Sequence, residues 1–359
     1  MNHYPSNVKE KLNSIILSMA EHHWLFSKNP GHDFTRQHLG KLSFYDTMRL
    51  IISMGKGSTN DEIMDYFDLD PDLIPSQSAF CQRRRQISLS AFEYLFSEFS
   101  SSFPSTTDKF KDHCILACDG CHVVYATNSD IIEDYNKPRL IDYKGYNHMH
   151  LNGFVDVISK AFLDVVIQPR QQPDEREALH SMLDHFTPDD PQKYIITADR
   201  GYESYDLLFH CELKNLGYVF RVKSPSSPKS ILSYYASELP DDLEEFDVTI
   251  KRFFTDKATN IMKSQSDVYR YINPSKNTPH FYELLRKNHS HLYFLQFRVV
   301  KIKTAENTYE YLITNLPFSF TLDDIQECYH WRWGIEISFR YLKHAAGLLY
   351  FHSKQPEFL

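Results

Sequence analysis

Glycine is scarce in this chain of 359 residues, 11 against 26 Phe and 23 Tyr, and neither a GxGxxG nor a GxxxxGK[ST] run occurs. Glycine-rich phosphate loops are therefore excluded. No apolar stretch is long enough to cross a bilayer, and no secretory signal opens the chain. The six cysteines, Cys81, Cys114, Cys118, Cys121, Cys211 and Cys328, are scattered, so reduced thiols in a cytoplasm are expected rather than a disulfide framework. Cys118 and Cys121 make a CxxC. With no second pair at zinc spacing and no helix N-terminus to activate a thiol, they read as small buried strand residues. HExxH is absent too, and His148 and His150 read as polar residues of a loop from Tyr143 to His150. Positive charge is also short. The net charge of -8 weighs mildly against a nucleic-acid partner, although a local basic groove can coexist with acidic surfaces elsewhere.

What is present is a hydrophobic fraction of 42%, ample for a sizeable core in two or three structural units. Residues 1–105 have helical periodicity, with Ser58, Thr59 and Ser76 as expected N-caps and Gly55 and Gly57 as stops. Arg83, Arg84 and Arg85 form a basic patch there, which suits a DNA-binding bundle or, equally, a small helical domain with a solvated basic corner. After the polar break SSFPSTTDKFKDH the rhythm changes. Over 106–223 strands alternate with helices: CILACDG ends in Asp119, then HVVYAT, LNGFVDVIS and AFLDVVIQ, a helix, YIITA ending in Asp199, another helix, and YVFRVK. This alternation implies a sheet with helices on its faces. Residues 224–308 break it with β-rich segments and read as an insertion, and 309–359 complete the core.

The stretch from Thr321 to Leu348 reads as one helix. At about 100° per residue, Tyr329, Arg332, Glu336, Arg340 and Lys343 fall within an arc of roughly 80°. Cys328, Trp331, Ile335, Phe339 and Leu342 form an adjoining apolar stripe. Ion pairing on a solvated helix spreads acids and bases evenly, whereas this stripe has one Glu among three cations. Such a carboxylate suits a metal beside phosphates. Acids at neighbouring strand ends of an α/β sheet can meet in space. Asp119, Asp199 and Glu336 together would make an oxygen site for two Mg²⁺ or Mn²⁺ ions, as phosphodiester chemistry requires.

YHWRWGIEISFRYLK places Tyr329, Arg332, Glu336 and Lys343 at the spacing of the YREK signature, and so resembles the insertion-sequence-four family of bacterial DDE transposases. ACDG around Asp119 and ADRGYES around Asp199 resemble that family's two aspartate motifs, and YLITNLP and FHSK flank the helix as in its members. The resemblance implies an α/β fold: a ribonuclease-H-like core interrupted by a mainly β insertion and preceded by an α-helical DNA-binding domain. It implies Mg²⁺-dependent cut-and-paste transposition, with Asp119, Asp199 and Glu336 as catalytic metal ligands. Tyr329, Arg332 and Lys343 would hold phosphates of double-stranded DNA, at the element ends and the target, and Arg340 would add a contact. A dimer on DNA, in a bacterial cytoplasm at the nucleoid, is expected. Hairpin-forming members stack a flipped base on a tryptophan of the insertion. The tryptophans here are Trp24, Trp331 and Trp333, so Phe253, Phe254 or a nearby Tyr would have to serve. The tail after FHSK is shorter than in relatives, and a truncated C-terminus is expected. Two other readings use the same residues: a metal-dependent nuclease that cuts without joining, and an inactive transposase-derived DNA-binding protein.

Overall fold

The computed structural model describes residues 4–35, 42–102, 109–125, 127–137, 145–257, 259–273 and 278–353. Part of the polar break and Lys354 of FHSK lie outside them. The N-terminal segment is helical as its periodicity requires: α1 (Tyr4–Glu21), α2 (Phe44–Ser53), α3 (Thr59–Tyr66), α4 (Gln77–Gln86) and α5 (Leu89–Ser101). Ser58 and Ser76 cap α3 and α4, and Asp61 returns the Ser58 bond to close a capping box. Thr59 is the first helical residue rather than a cap. The bundle has its own apolar centre around Ile16, Phe44, Met48 and Ala91. It docks on the sheet through α5, whose Ser100 hydroxyl donates to the Phe162 carbonyl at 3.1 Å.

Ten strands among the described residues form one mixed sheet. They are β1 (Cys114–Tyr125), β2 (Tyr135–Asn136), β3 (Tyr146–Asp156), β4 (Ala161–Pro169), β5 (Tyr194–Ala198), β6 (Gly217–Val222), β7 (Phe246–Thr255), β8 (Tyr269–Tyr271), β9 (Leu292–Ala305) and β10 (Thr308–Thr314). β4, β3 and β1 run antiparallel in turn, and β5 and β6 then join β1 in parallel. This is the strand order of a ribonuclease-H-like core. Parallel neighbours need crossover helices. α6 (Glu175–His185) leads into β5, and α7 (Tyr205–Leu213) connects β5 to β6. Both pack on one face, over Leu116, Phe154 and Ile196. The other face, with Ile115, Ala117 and Ile195, is covered by α10 (Leu322–Trp331) and α11 (Gly334–His344).

Residues 224–308 are β-rich, with two helices, α8 (Asn260–Ser264) and α9 (Pro279–Lys287), among the strands. Their strands form no separate layer. β7 pairs with β9, β9 with β10, and β10 with β6, so the sheet continues from the core through this segment. His148 and His150 are strand residues of β3, not loop residues; their partners in β1 are Val124 and His122.

A candidate carboxylate centre

The register of two parallel strands builds the site. β1 and β5 pair from Cys114 and Tyr194 to Ala117 and Thr197. Each aspartate stands two positions beyond that last pair, which sets Asp119 beside Asp199. Alternation along β1 then puts Ile115, Ala117 and Asp119 on one face, the face on which α11 packs. Asp119 does not end its strand. The HVVY segment continues β1 by pairing with β3 rather than forming a strand of its own. What ends here is β5, at Ala198. The sheet opens beside Asp119 for that reason, and Asp199 caps the short turn Arg200–Tyr202 by accepting from Gly201 N at 2.7 Å.

The helix expected from Thr321 to Leu348 is two helices. Between them the N–H groups of Arg332, Trp333, Ile335 and Glu336 reach back three residues rather than four, a tightened turn. Gly334 lies there against Val157, where an added Cβ would stand 3.2 Å from the Val157 Cβ. The turn spoils the expected stripes. Tyr329 and Arg332 face inward, 4% and 6% exposed, while Trp331, expected to be apolar and packed, is 40% exposed. Cys328, Ile335 and Phe339 are buried as expected.

Arg332 therefore enters the site from within. Its Nη1 is 3.4 Å from Asp119 Oδ2 and its Nη2 3.4 Å from Glu336 Oε1, so one guanidinium spans both carboxylates. Burial pushes Asp119 up to about 6, against the pull of Gly120 N–H and Arg332, and Asp199 and Glu175 raise it further. An acid in this state is short of positive charge.

Glu175 escaped the sequence reading. Asp174 caps α6 and so starts the helix at Glu175, whose Oε1 is 3.1 Å from His150 Nε2. A Cβ on Gly201 would lie 2.9 Å from Asp199 Oδ1 and 3.5 Å from Glu175 Oε2, so the fourth carboxylate reaches the edge of the site. Its only mark in the sequence is an acid opening the helix after a strand, and Asp174 and Glu177 share that mark. Gly120 leaves room for it: a Cβ there would stand 2.3 Å from His150 Nε2 and 2.7 Å from Glu175 Oε1. Gly120→Ala is expected to cost about 1–3 kcal/mol through this overlap, read as a lower thermal midpoint. An unchanged midpoint would mean that His150 and Glu175 move aside freely.

The surroundings are basic on one side. Arg200, Arg221 and Lys223 line a hollow of about 320 Å³ next to Asp199, together with Glu310; Arg221 pairs with Glu310 at 3.1 Å and Lys223 with Glu203 at 3.0 Å. Lys343, half-buried, lies by Cys121; burial raises that thiol and the ammonium draws it back down. Arg340 is exposed. Arg83, Arg84 and Arg85 are on α4, which packs against α2 and α3. Arg83 lies over the Phe34 ring, Arg84 is half-buried and Arg85 is exposed. Cys118 and Cys121 fall on opposite faces of β1, so the CxxC cannot chelate. Phe254 is fully buried and unavailable for base stacking, whereas Phe253 is 38% exposed.

Asp119, Asp199, Glu175 and Glu336 offer only oxygen, the donor type hard divalent cations take. Their oxygens do not gather within 4.8 Å of one another in this structure, where Arg332 stands between Asp119 and Glu336. The raised Asp119 fits such cations, because a cation relieves its crowding. Among the described residues, no helix is long and apolar enough to cross a membrane. A family model described as "Transposase DDE domain" matches residues 110–359. Among solved structures, the chain is similar to a piggyBac transposase synaptic complex with hairpin DNA. The identity is 10% and the TM-score 0.42, over 94% of this chain and 69% of that one. No curated protein matches.

Proposed function

The chain belongs to the transposase DDE domain family, and on that premise we propose that it is a Mg²⁺-dependent DNA transposase of the insertion-sequence-four type. The observation that carries this reading is the parallel register that sets Asp119 beside Asp199 on the face covered by α11, where Glu336 stands. In the proposal Asp119, Asp199 and Glu336 are the metal ligands, and Glu175 supports them from the α6 side. The bound cations would activate the attacking oxygen and stabilise the leaving one.

The chain's own residues hold the DNA. Arg332 is held by Asp119 and Glu336 in the free protein, and in the proposal it turns to a phosphate once those carboxylates take cations. A guanidinium serves both partners because its fork matches carboxylate and phosphate alike. Tyr329 packs behind it, its ring centroid 5.6 Å from the Arg332 guanidinium carbon. Lys343 and Arg340 continue along α11, and the hollow at Arg200 offers a path for the strand past Asp199. Exposed Trp331 and Trp333, either side of Arg332, present aromatic faces to an unpaired base. The Arg83–Arg85 segment is the proposed duplex contact of the N-terminal bundle.

A supercoiled plasmid carrying labelled element ends tests the proposal in Mg²⁺. Joined products should appear, and nicking without them would favour the nuclease reading. Lys343→Ala should weaken end binding and lower the slope of log K against log salt by about one, the loss of one phosphate contact. An unchanged slope would remove Lys343 from the interface.

A further inference from the structure

On the far side of the sheet, three histidines from three helices meet. They are His180 of α6, His210 of α7 and His280 of α9, and one ring nitrogen from each lies within 4.8 Å of the others. The rings stack nearly parallel, with centroids 3.8 Å apart for His210 and His280 and 4.4 Å for His180 and His280. Each also turns one nitrogen towards a carboxylate. His280 Nδ1 is 2.7 Å from Asp206 Oδ2, His210 Nε2 is 3.2 Å from Asp184 Oδ1, and His180 Nε2 is 3.6 Å from Asp206 Oδ2.

Of these contacts the one from His280 is a hydrogen bond, and those of His210 and His180 are close approaches. A ring that gives its hydrogen to a carboxylate has a bare lone pair on its other nitrogen, which for His280 is Nε2. The Nδ1 atoms of His180 and His210 are hydrogen-bonded to each other at 2.9 Å, so one of them carries a hydrogen and the other accepts with its lone pair. A cation bound there would move that single hydrogen to the ring's Nε2, which already faces a carboxylate. Asp206, 2% exposed, accepts from the Phe281 N–H at 3.3 Å as well as from the His280 ring, so the carboxylate behind the cluster is itself held in place.

We propose that His180, His210 and His280 form a second metal site, a transition-metal centre for Zn²⁺, with Asp206 and Asp184 orienting the ligands. Three imidazoles with carboxylates behind them suit Zn²⁺ and not Mg²⁺. The site is separate in chemistry from the all-oxygen centre at Asp119. A shared ion needs ring planes that converge on it, so binding turns the rings out of their stack. The gain is structural: α9 belongs to the segment 224–308 and α6 and α7 to the core, so one ion ties the two together. Asp206 Oδ1 already joins them by accepting from His280 N at 3.1 Å.

Metal-depleted full-length chain titrated with Co²⁺ provides the test. One equivalent should give the intense visible bands of a four-coordinate imidazole site, and Zn²⁺ should displace it. Zn²⁺ should also raise the thermal midpoint by at least about 3 °C. Asp119→Asn should leave the bands intact, and so should His185→Gln, an exposed histidine of the same α6. His280→Gln should abolish them. Absence of stoichiometric bands in the wild-type chain, or their survival in His280→Gln, overturns the site. The primary readout is on the wild-type protein, so an unfolded variant does not decide the matter. DNA cleavage plays no part in it, so failure here leaves the transposase reading standing and the converse holds too.

Discussion

Glu336→Gln is expected to abolish strand cleavage in Mg²⁺ while leaving both folding and end binding in place. The amide keeps the shape and removes the charge a cation needs. Loss of a partner that merely orients a metal ligand costs about 10–100-fold, and loss of a proposed ligand should exceed that range. The Glu336 side chain is 58% exposed and meets Arg332 at 3.4 Å, an exposed contact of small energetic weight. Stability should therefore stay within about 0.5 kcal/mol of the parent. A nicking assay beside a gel-shift titration reads both quantities. Cleavage within tenfold of the parent would remove Glu336 from the metal set.

Much of this centre was legible because it rests on local pattern. Apolar runs ending in Asp119 and Asp199 gave away neighbouring strands, and the spacing from Tyr329 to Lys343 placed Glu336 on a helix. Where the reading went astray, tertiary contacts had overridden a local rule. Alternation cannot say that HVVY extends β1, since that depends on β3 lying alongside. A constant 100° per residue hides the tightened turn at Arg332, which exists because Gly334 closes on Val157. The polar stripe expected along one edge of a single helix thus has its first members, Tyr329 and Arg332, buried. Glu175 carries only the unspecific mark of an acid opening a helix, and the histidine trio carries no local signal at all. His180, His210 and His280 are brought together only by the crossover through α7 and the return of α9 onto it.

Arg332→Gln is expected to have the widest consequences of any single change at the site, because it touches stability, metal binding and DNA together. Breaking a buried ion pair on one side typically costs about 3–5 kcal/mol, since the remaining charge is stranded. Asp119 has an escape from that penalty. Its carboxyl already sits at about 6 through burial, so without the guanidinium it takes up a proton, and the expected loss falls to about 1–3 kcal/mol. The same proton competes with a cation, so cleavage should fall by more than the stability loss explains. End binding should fall as well, with a shallower salt dependence. Arg332→Lys restores charge but not the fork that spans Asp119 and Glu336, and so should recover stability before it recovers cleavage. Thermal melts, nicking rates and salt titrations on the two variants separate these effects. Full cleavage by Arg332→Gln would show that the guanidinium between the carboxylates serves folding alone.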